Sequence, residues 1–144
     1  MSDQTTRRMR IDAPVDKIWS VLTDFESYPT WARDLKEARI LERDDDGRAT
    51  LVRFRAAAMG RSTSYTLRYD WTDAPDRLPW ELAEGDIMRE LDGSYEFVSA
   101  VGGTDITYHL SVELVVPLPG FVKRRAEARI VGTALQELRD HVTR

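Results

Sequence analysis

Few side chains in this sequence have the type and spacing that chemistry requires. The chain has two histidines and no cysteine. His109 alternates with Thr107 and Ser111, opposite Tyr108 and Leu110, which places it on the solvent side of a strand. His141 falls in the last turn of a C-terminal helix, where a cation suits the helix dipole. The two histidines do not have metal-ligand spacing, and the lack of cysteine removes thiolate sites, disulfides and a cysteine nucleophile. We therefore expect no metal, no cofactor and no catalytic residue set. The serines lack a G-x-S-x-G elbow; Ser94, inside Gly93-Ser94-Tyr95, reads as a strand residue on a wet face. The glycines fall at turns or in a bent strand and make no phosphate loop.

Two carboxylates and two arginines stand apart. Glu84 continues the face of Leu78, Trp80 and Leu82, and Glu90 lies close by. A buried carboxylate has a raised pKa and can serve as acid or base. A solvated strand-end charge is the expected outcome for Glu84. Arg53 and Arg55 alternate with Val52 and Phe54. One register leaves the guanidinium groups in water; the other sends them inward to bind a carboxylate or polarise a ketone. The outer face is favoured.

Aromatic residues give the positive signal. Tyr65, Tyr69, Trp71, Trp80, Tyr95, Phe97 and Tyr108 all fall on predicted inner faces. A packed core accounts for some of them. Four are tyrosines, however, and a buried phenol needs a hydrogen-bond partner. Several inward tyrosines suit a cavity holding water or an oxygenated ligand better than a dry core. The predicted ligand-binding set is Val52, Phe54, Tyr65, Leu67, Tyr69, Trp80, Tyr95, Phe97, Tyr108, Leu110, Val131 and Leu135.

The elements that would position these residues are legible from periodicity. A first strand spans Thr5 to Ile11. Asp12-Ala13-Pro14 then opens a helix, with Asp12 or Ala13 near the cap and Pro14 in the first turn. Val15, Ile18, Leu22 and Phe25 keep helical spacing, and Asp24 restarts a second short helical segment that Pro29 breaks or re-caps. From Leu35 the period becomes two, with strands at 35–43, 48–59, 62–72, 78–84, 87–99 and 104–116. Turn signals at Asp46-Gly47, Gly60, Pro75-Asp76, Gly85-Asp86 and Gly102-Gly103 separate them and imply antiparallel neighbours. A final helix runs from about Phe121 to Val142, with apolar positions at Phe121, Ala128, Val131, Leu135, Leu138 and Val142. Such a stripe can cover the concave side of a curved sheet.

Composition bounds the rest. The 144 residues fit one domain, and the formal charge of −4 lacks the footprint of a nucleic-acid binder. No run approaches a membrane span and no apolar stretch follows the polar N-terminus, so the expected location is the cytoplasm.

Several ordered motifs resemble a known family. Ala13 to Phe25, followed by Tyr28-Pro29-Thr30-Trp31, resembles the opening signature of the polyketide cyclase/dehydrase group of the START-like (SRPBCC) superfamily. Leu91-Asp92-Gly93-Ser94-Tyr95-Glu96-Phe97 resembles its glycine-aromatic strand, and Gly103 to Tyr108 its next strand. The resemblance spans essentially the whole chain. It implies an α+β helix-grip fold: one seven-stranded antiparallel sheet wrapped around the long C-terminal helix, two short helices after the first strand, and a cavity between sheet and helix. It carries over no catalytic set, because members share a cavity and no common chemistry.

Three functions follow as expectations. The first is binding or transport of an apolar small molecule such as a lipid, isoprenoid or polyketide. The second is an aromatase/cyclase-type enzyme that folds a reactive chain. The third is an interaction module with a filled core. The junction Pro117 to Arg125 adds at most a weak, transient membrane contact through Phe121, Lys123, Arg124 and Arg125, with Phe121 and Tyr28-Pro29-Thr30-Trp31 as a gate. The plainer expectation there is an inward Phe121 beneath three solvated cations.

Overall fold

Alternating apolar and polar residues give each strand two unlike faces, and burial of the apolar one drives the sheet to curve around a helix. The computed structural model describes residues 4–58 and 61–144. Its strands are β1 (Thr5–Ile11), β2 (Leu35–Arg43), β3 (Ala49–Ala58), β4 (Arg61–Tyr69), β5 (Arg77–Gly85), β6 (Met88–Ala100) and β7 (Gly103–Leu114). They form one antiparallel sheet in the order β1-β7-β6-β5-β4-β3-β2. Helix α1 (Val15–Leu22) and a 3₁₀ segment (Phe25–Thr30) link the two edge strands, and α2 (Gly120–Val142) closes the chain. This is the helix-grip fold. The turn at Asp44–Gly47 forms as expected, with Gly47 at φ 82° and its amide donating to the Asp44 carbonyl. The Gly60 turn lies outside the described residues.

The start of α1 differs in detail from the expectation. Pro14, not Asp12 or Ala13, holds the N-cap position, and no side chain caps the helix. The second helical segment is a 3₁₀ turn with Pro29 inside it rather than at its boundary. Its tighter hydrogen-bond pattern, and the Tyr28 hydroxyl donating to the Leu22 carbonyl, pin it against α1.

Helix α2 packs on β1, β7 and α1. Val131, Leu135, Leu138 and Val142 are buried, as the stripe predicts. Its N-terminal half departs from the pattern: Phe121 and Ala128 are exposed, and Glu127 is buried in their place. The cause is a polar clasp. The Glu127 carboxylate accepts from Thr5 Oγ1 at 2.8 Å, from the Val112 amide at 2.8 Å and from Lys123 Nζ at 2.6 Å. Pairing of β1 with β7 ends at Thr5 and Leu110, so the Val112 amide lies beyond the last paired residue of β1. Glu127 supplies its acceptor, and a buried amide without one costs about 1–3 kcal/mol.

The two arginines, Glu84 and Ser94 settle in physical terms. Val52 and Phe54 are buried while Arg53 is exposed, and Arg55 reaches Glu37 at 3.4 Å across the outer face, so the guanidinium groups point outward. A register shift between Thr66 and Leu67 pairs Leu82 with Leu67 but Glu84 with Thr66. That bulge moves Glu84 out of the face of Trp80 and Leu82, and Glu84 is exposed. Ser94 is buried rather than wet. It lies between Pro79 and His109 on the adjoining strands, and these bulkier groups cover its small hydroxyl.

Candidate functional site

The aromatic face is assembled by pairing between neighbouring strands. Tyr65 and Tyr69 come from β4, Trp80 from β5, Tyr95 and Phe97 from β6, and Tyr108 from β7. Trp80 is paired with Gly93, where a Cβ would lie 2.6 Å from the indole and 2.5 Å from the His109 carbonyl oxygen. Glycine at 93 therefore lets the indole lie across β6. Ring centroids then run in sequence: Tyr69 to Trp80 at 5.9 Å, Trp80 to Tyr95 at 5.2 Å, Tyr95 to Tyr108 at 4.6 Å, and Tyr95 to Phe97 at 6.1 Å. Phe54 joins through Tyr65 at 5.6 Å.

The structure places the other expected residues with these or beside them. Val52, Leu67, Leu110, Val131 and Leu135 are all buried in the same apolar cluster. Val131 and Leu135 stand on α2, whose main packing is against β1 and β7, at the opposite side of the sheet from β3 and β4. Sequence reasoning missed Phe25 and Tyr28. Phe25 lies 4.6 Å from Tyr69, and Tyr28 stacks on Phe54 at 5.8 Å. Their signal was the burial implied by Phe25 on the α1 stripe; nothing in the spacing ties a 3₁₀ turn to β3.

All five tyrosines of the chain thus converge. Burial raises the pKa of Tyr28, Tyr65, Tyr69, Tyr95 and Tyr108 above the ordinary phenol value, and for all but Tyr65 their mutual proximity adds to it. All five are neutral donors at ordinary pH. Tyr28 donates to the Leu22 carbonyl, and the Tyr95 and Tyr108 rings lie against each other with centroids 4.6 Å apart. Among the described residues the hydroxyls of Tyr65 and Tyr69 have no hydrogen-bond partner, although no fully enclosed side-chain N or O is left unbonded. Tyr65 and Tyr95 retain accessible surface even though burial dominates their pKa.

The groups able to do acid-base work lie elsewhere. His109 bonds Thr6 Oγ1 at 2.9 Å and faces Glu96 on the outer side. Glu90 accepts from Ser111. No three of His, Asp and Glu among the described residues come together as a metal site. An open groove of about 410 Å³ lies between Trp19, Trp71, Arg43 and Arg48 and contains none of the predicted lining residues. Its Arg48 sits 5.8 Å over Trp71 and is already paired with Asp44 and Asp46.

The expected gate does not form. Phe121 opens α2, whereas Trp31 stacks on His141 at 5.8 Å in the last turn of the same helix. Twenty residues of helix separate them by about 30 Å. Phe121 does not pack inward either; it is 65% exposed. Lys123 is not a solvated cation, because Glu127 at 2.6 Å and Glu113 at 3.9 Å hold it.

Residues 11–139 match the model of a family described as polyketide cyclase / dehydrase and lipid transport. The chain belongs to this family. Solved structures agree in architecture. A START superfamily protein from Mycobacterium smegmatis superposes with a TM-score of 0.91 at 23% identity, covering 97% of each chain. The Zhui aromatase/cyclase from Streptomyces sp. R1128 gives 0.79 at 17% identity, over 100% of this chain and 95% of that one. A STAR-related lipid transfer protein from Xanthomonas axonopodis gives 0.73 at 20% identity, over 98% and 86%. No curated protein sequence matches the chain. In this polyketide cyclase / dehydrase family member, no helix among the described residues is long and apolar enough to cross a membrane.

Proposed function

We propose that this protein binds an apolar small molecule carrying one or more oxygen atoms, between the aromatic face of β3–β7 and helix α2. A lipid, an isoprenoid or a polyketide-like chain fits that description. The observation that carries the reading is the pair of inward hydroxyls on Tyr65 and Tyr69, which find no partner within the described chain. Neither hydroxyl is fully enclosed, so each keeps open donor and acceptor capacity that an oxygenated ligand would satisfy. The surrounding wall of Phe54, Leu67, Trp80 and Phe97 supplies the apolar contact that such sites use. Surface that is accessible on Tyr65 and Tyr95, yet deep enough for burial to shift their hydroxyls, supports an internal space.

Binding without an assigned reaction is the favoured reading. The groups that perturb the tyrosine hydroxyls are burial and other tyrosines, and no carboxylate or imidazole stands among those causes. An aldol-type cyclisation needs a base, and neutral phenols supply only proton donors.

The test is native mass spectrometry of gently purified protein, with extraction of any retained molecule, and titration with a fluorescent fatty acid and a naphthol. Saturable binding that quenches tryptophan emission and weakens in Tyr65→Phe and Tyr69→Phe supports the proposal. Absence of a retained molecule together with no saturable probe binding overturns it in favour of a filled-core interaction module.

A further inference from the structure

The β7–α2 junction exposes apolar side chains that no other part of the described chain covers. Ile87 is 46% exposed, Val115 50%, Val116 69%, Leu118 38% and Phe121 65%. They come from two segments brought together by the Val115 amide donating to the Ile87 carbonyl at 2.9 Å. The β5–β6 turn carrying Ile87 is itself fixed, because the Asp86 carboxylate accepts from Thr63 Oγ1 and from the Ser64 amide. The patch is therefore a built surface with its apolar groups held outward.

Exposed Arg89, Arg124 and Arg125 flank it, and none of the three is held in an ion pair among the described residues. Arg124 folds back beside Gly120, close to Phe121. The chain as a whole is acidic, with a formal charge of −4, so this cluster runs against the average. Basic residues in the first turns of α2 also oppose the helix dipole and gain nothing from it. Lys123 takes no part, since Glu127 and Glu113 occupy it.

We propose that this corner docks reversibly on an anionic lipid bilayer, with Phe121 and Val116 entering the interface and Arg89, Arg124 and Arg125 meeting the headgroups. Apolar side chains with arginines beside them, and with the nearby Asp86 carboxylate already engaged by Thr63 and Ser64, match the two layers that such a surface presents. A second copy of this chain matches less well. A twofold contact would set the same arginine cluster against itself. The membrane would be the place where an apolar ligand is collected or delivered, and in that respect alone the inference rests on the ligand-binding reading; attachment itself does not need an occupied interior.

The experiment is cosedimentation of the full chain with vesicles of phosphatidylglycerol and phosphatidylcholine, and with phosphatidylcholine alone, at low and physiological salt. Wild type is expected to sediment with the anionic vesicles at low salt and largely to release at physiological salt. Arg124→Gln with Arg125→Gln is expected to weaken partition about 30-fold at low salt. Phe121→Ser is expected to weaken it about tenfold. Arg39→Gln with Arg53→Gln, which removes the same charge from the outer face of β2 and β3, is expected to leave it unchanged. Failure of wild type to sediment, equal sedimentation of the arginine and control pairs, or equal binding to neutral vesicles overturns the proposal. So does a concentration-dependent dimer in sedimentation velocity that Phe121→Ser abolishes. Fluorescent-probe binding is measured on each variant: retention of it while vesicle binding is lost separates this corner from the interior.

Discussion

Two regions of one interior are built on opposite terms. Where α2 meets β1 and β7, the core is sealed: Ile11, Ile106, Leu110, Val131, Leu135 and Leu138 are each at most 1% exposed. Even the buried carboxylate there, Glu127, has three donors. Across β3–β6 the wall is aromatic, Tyr65 and Tyr95 are half-buried, and two phenols find no partner. Close packing with every polar atom bonded makes a side that holds the fold. Unspent hydrogen-bonding capacity on an apolar wall makes a side suited to hold something else. On the proposed reading, stability and binding fall to different strands of the same sheet.

That contrast can be broken at several strengths. Leu135→Ala, in the sealed region, should cost about 2–5 kcal/mol by urea denaturation. A cost well under 1 kcal/mol would mean the helix packs loosely and the sealed side is not sealed. Glu127→Ala strips the clasp and leaves the Val112 amide and the Lys123 ammonium without their acceptor. It should cost about 3 kcal/mol, at the lower end for a buried pair because Lys123 keeps some water. Adding Lys123→Met should recover part of that loss, and no recovery would show that the backbone amide carries most of it.

Alkaline pH probes the aromatic region. The five phenols have folded pKa values above their unfolded value of about 10. The native state therefore holds protons that the unfolded chain gives up. The stability this contributes is complete below pH of about 10 and falls as pH rises beyond it toward the folded values. Phenolate absorbance should appear together with loss of circular dichroism, in one transition. Phenolate appearing first, with the fold intact, would place those hydroxyls in contact with bulk water. The smallest effect belongs to Tyr69→Phe. With no partner to lose, it should change stability by less than about 1 kcal/mol, while Tyr28→Phe, which loses the bond to Leu22, should cost about 1 kcal/mol.

Strands and the long helix were legible because burial on one face imposes a period of two or of 3.6 on the sequence. Tyr65, Leu67 and Tyr69, or Ile106, Tyr108 and Leu110, announce their shared face without help. Glu127 did not, because a carboxylate interrupts an apolar stripe unless its three donors, from β1, β7 and α2 itself, are known in advance. Glu84 is exposed as a strand-end charge should be, but the bulge beside Leu67 that takes it off the apolar face resets the alternation, and no residue type marks it. Ser94 reads as wet until Pro79 and His109 are seen on either side of it. In each case the deciding partner lies on another strand, so the local pattern holds no trace of it.

The open edge of the sheet has a consequence for life in a crowded solution. β2 pairs only with β3 and leaves its far side without a strand. Part of that side is covered, since the Phe25–Thr30 segment packs on β2 and the Glu26 carboxylate accepts from the Ile40 amide at 3.2 Å; the uncovered remainder is a template for another chain to extend the sheet, the first step toward aggregation. Along β2, Lys36, Glu37, Arg39, Glu42 and Arg43 are exposed, and three register shifts against β3 break its line. An incoming strand would have to desolvate those charges and follow an irregular backbone, and each deters it. The edge is thus guarded by charge and by shape, and the sheet can stay open on that side without recruiting its neighbours.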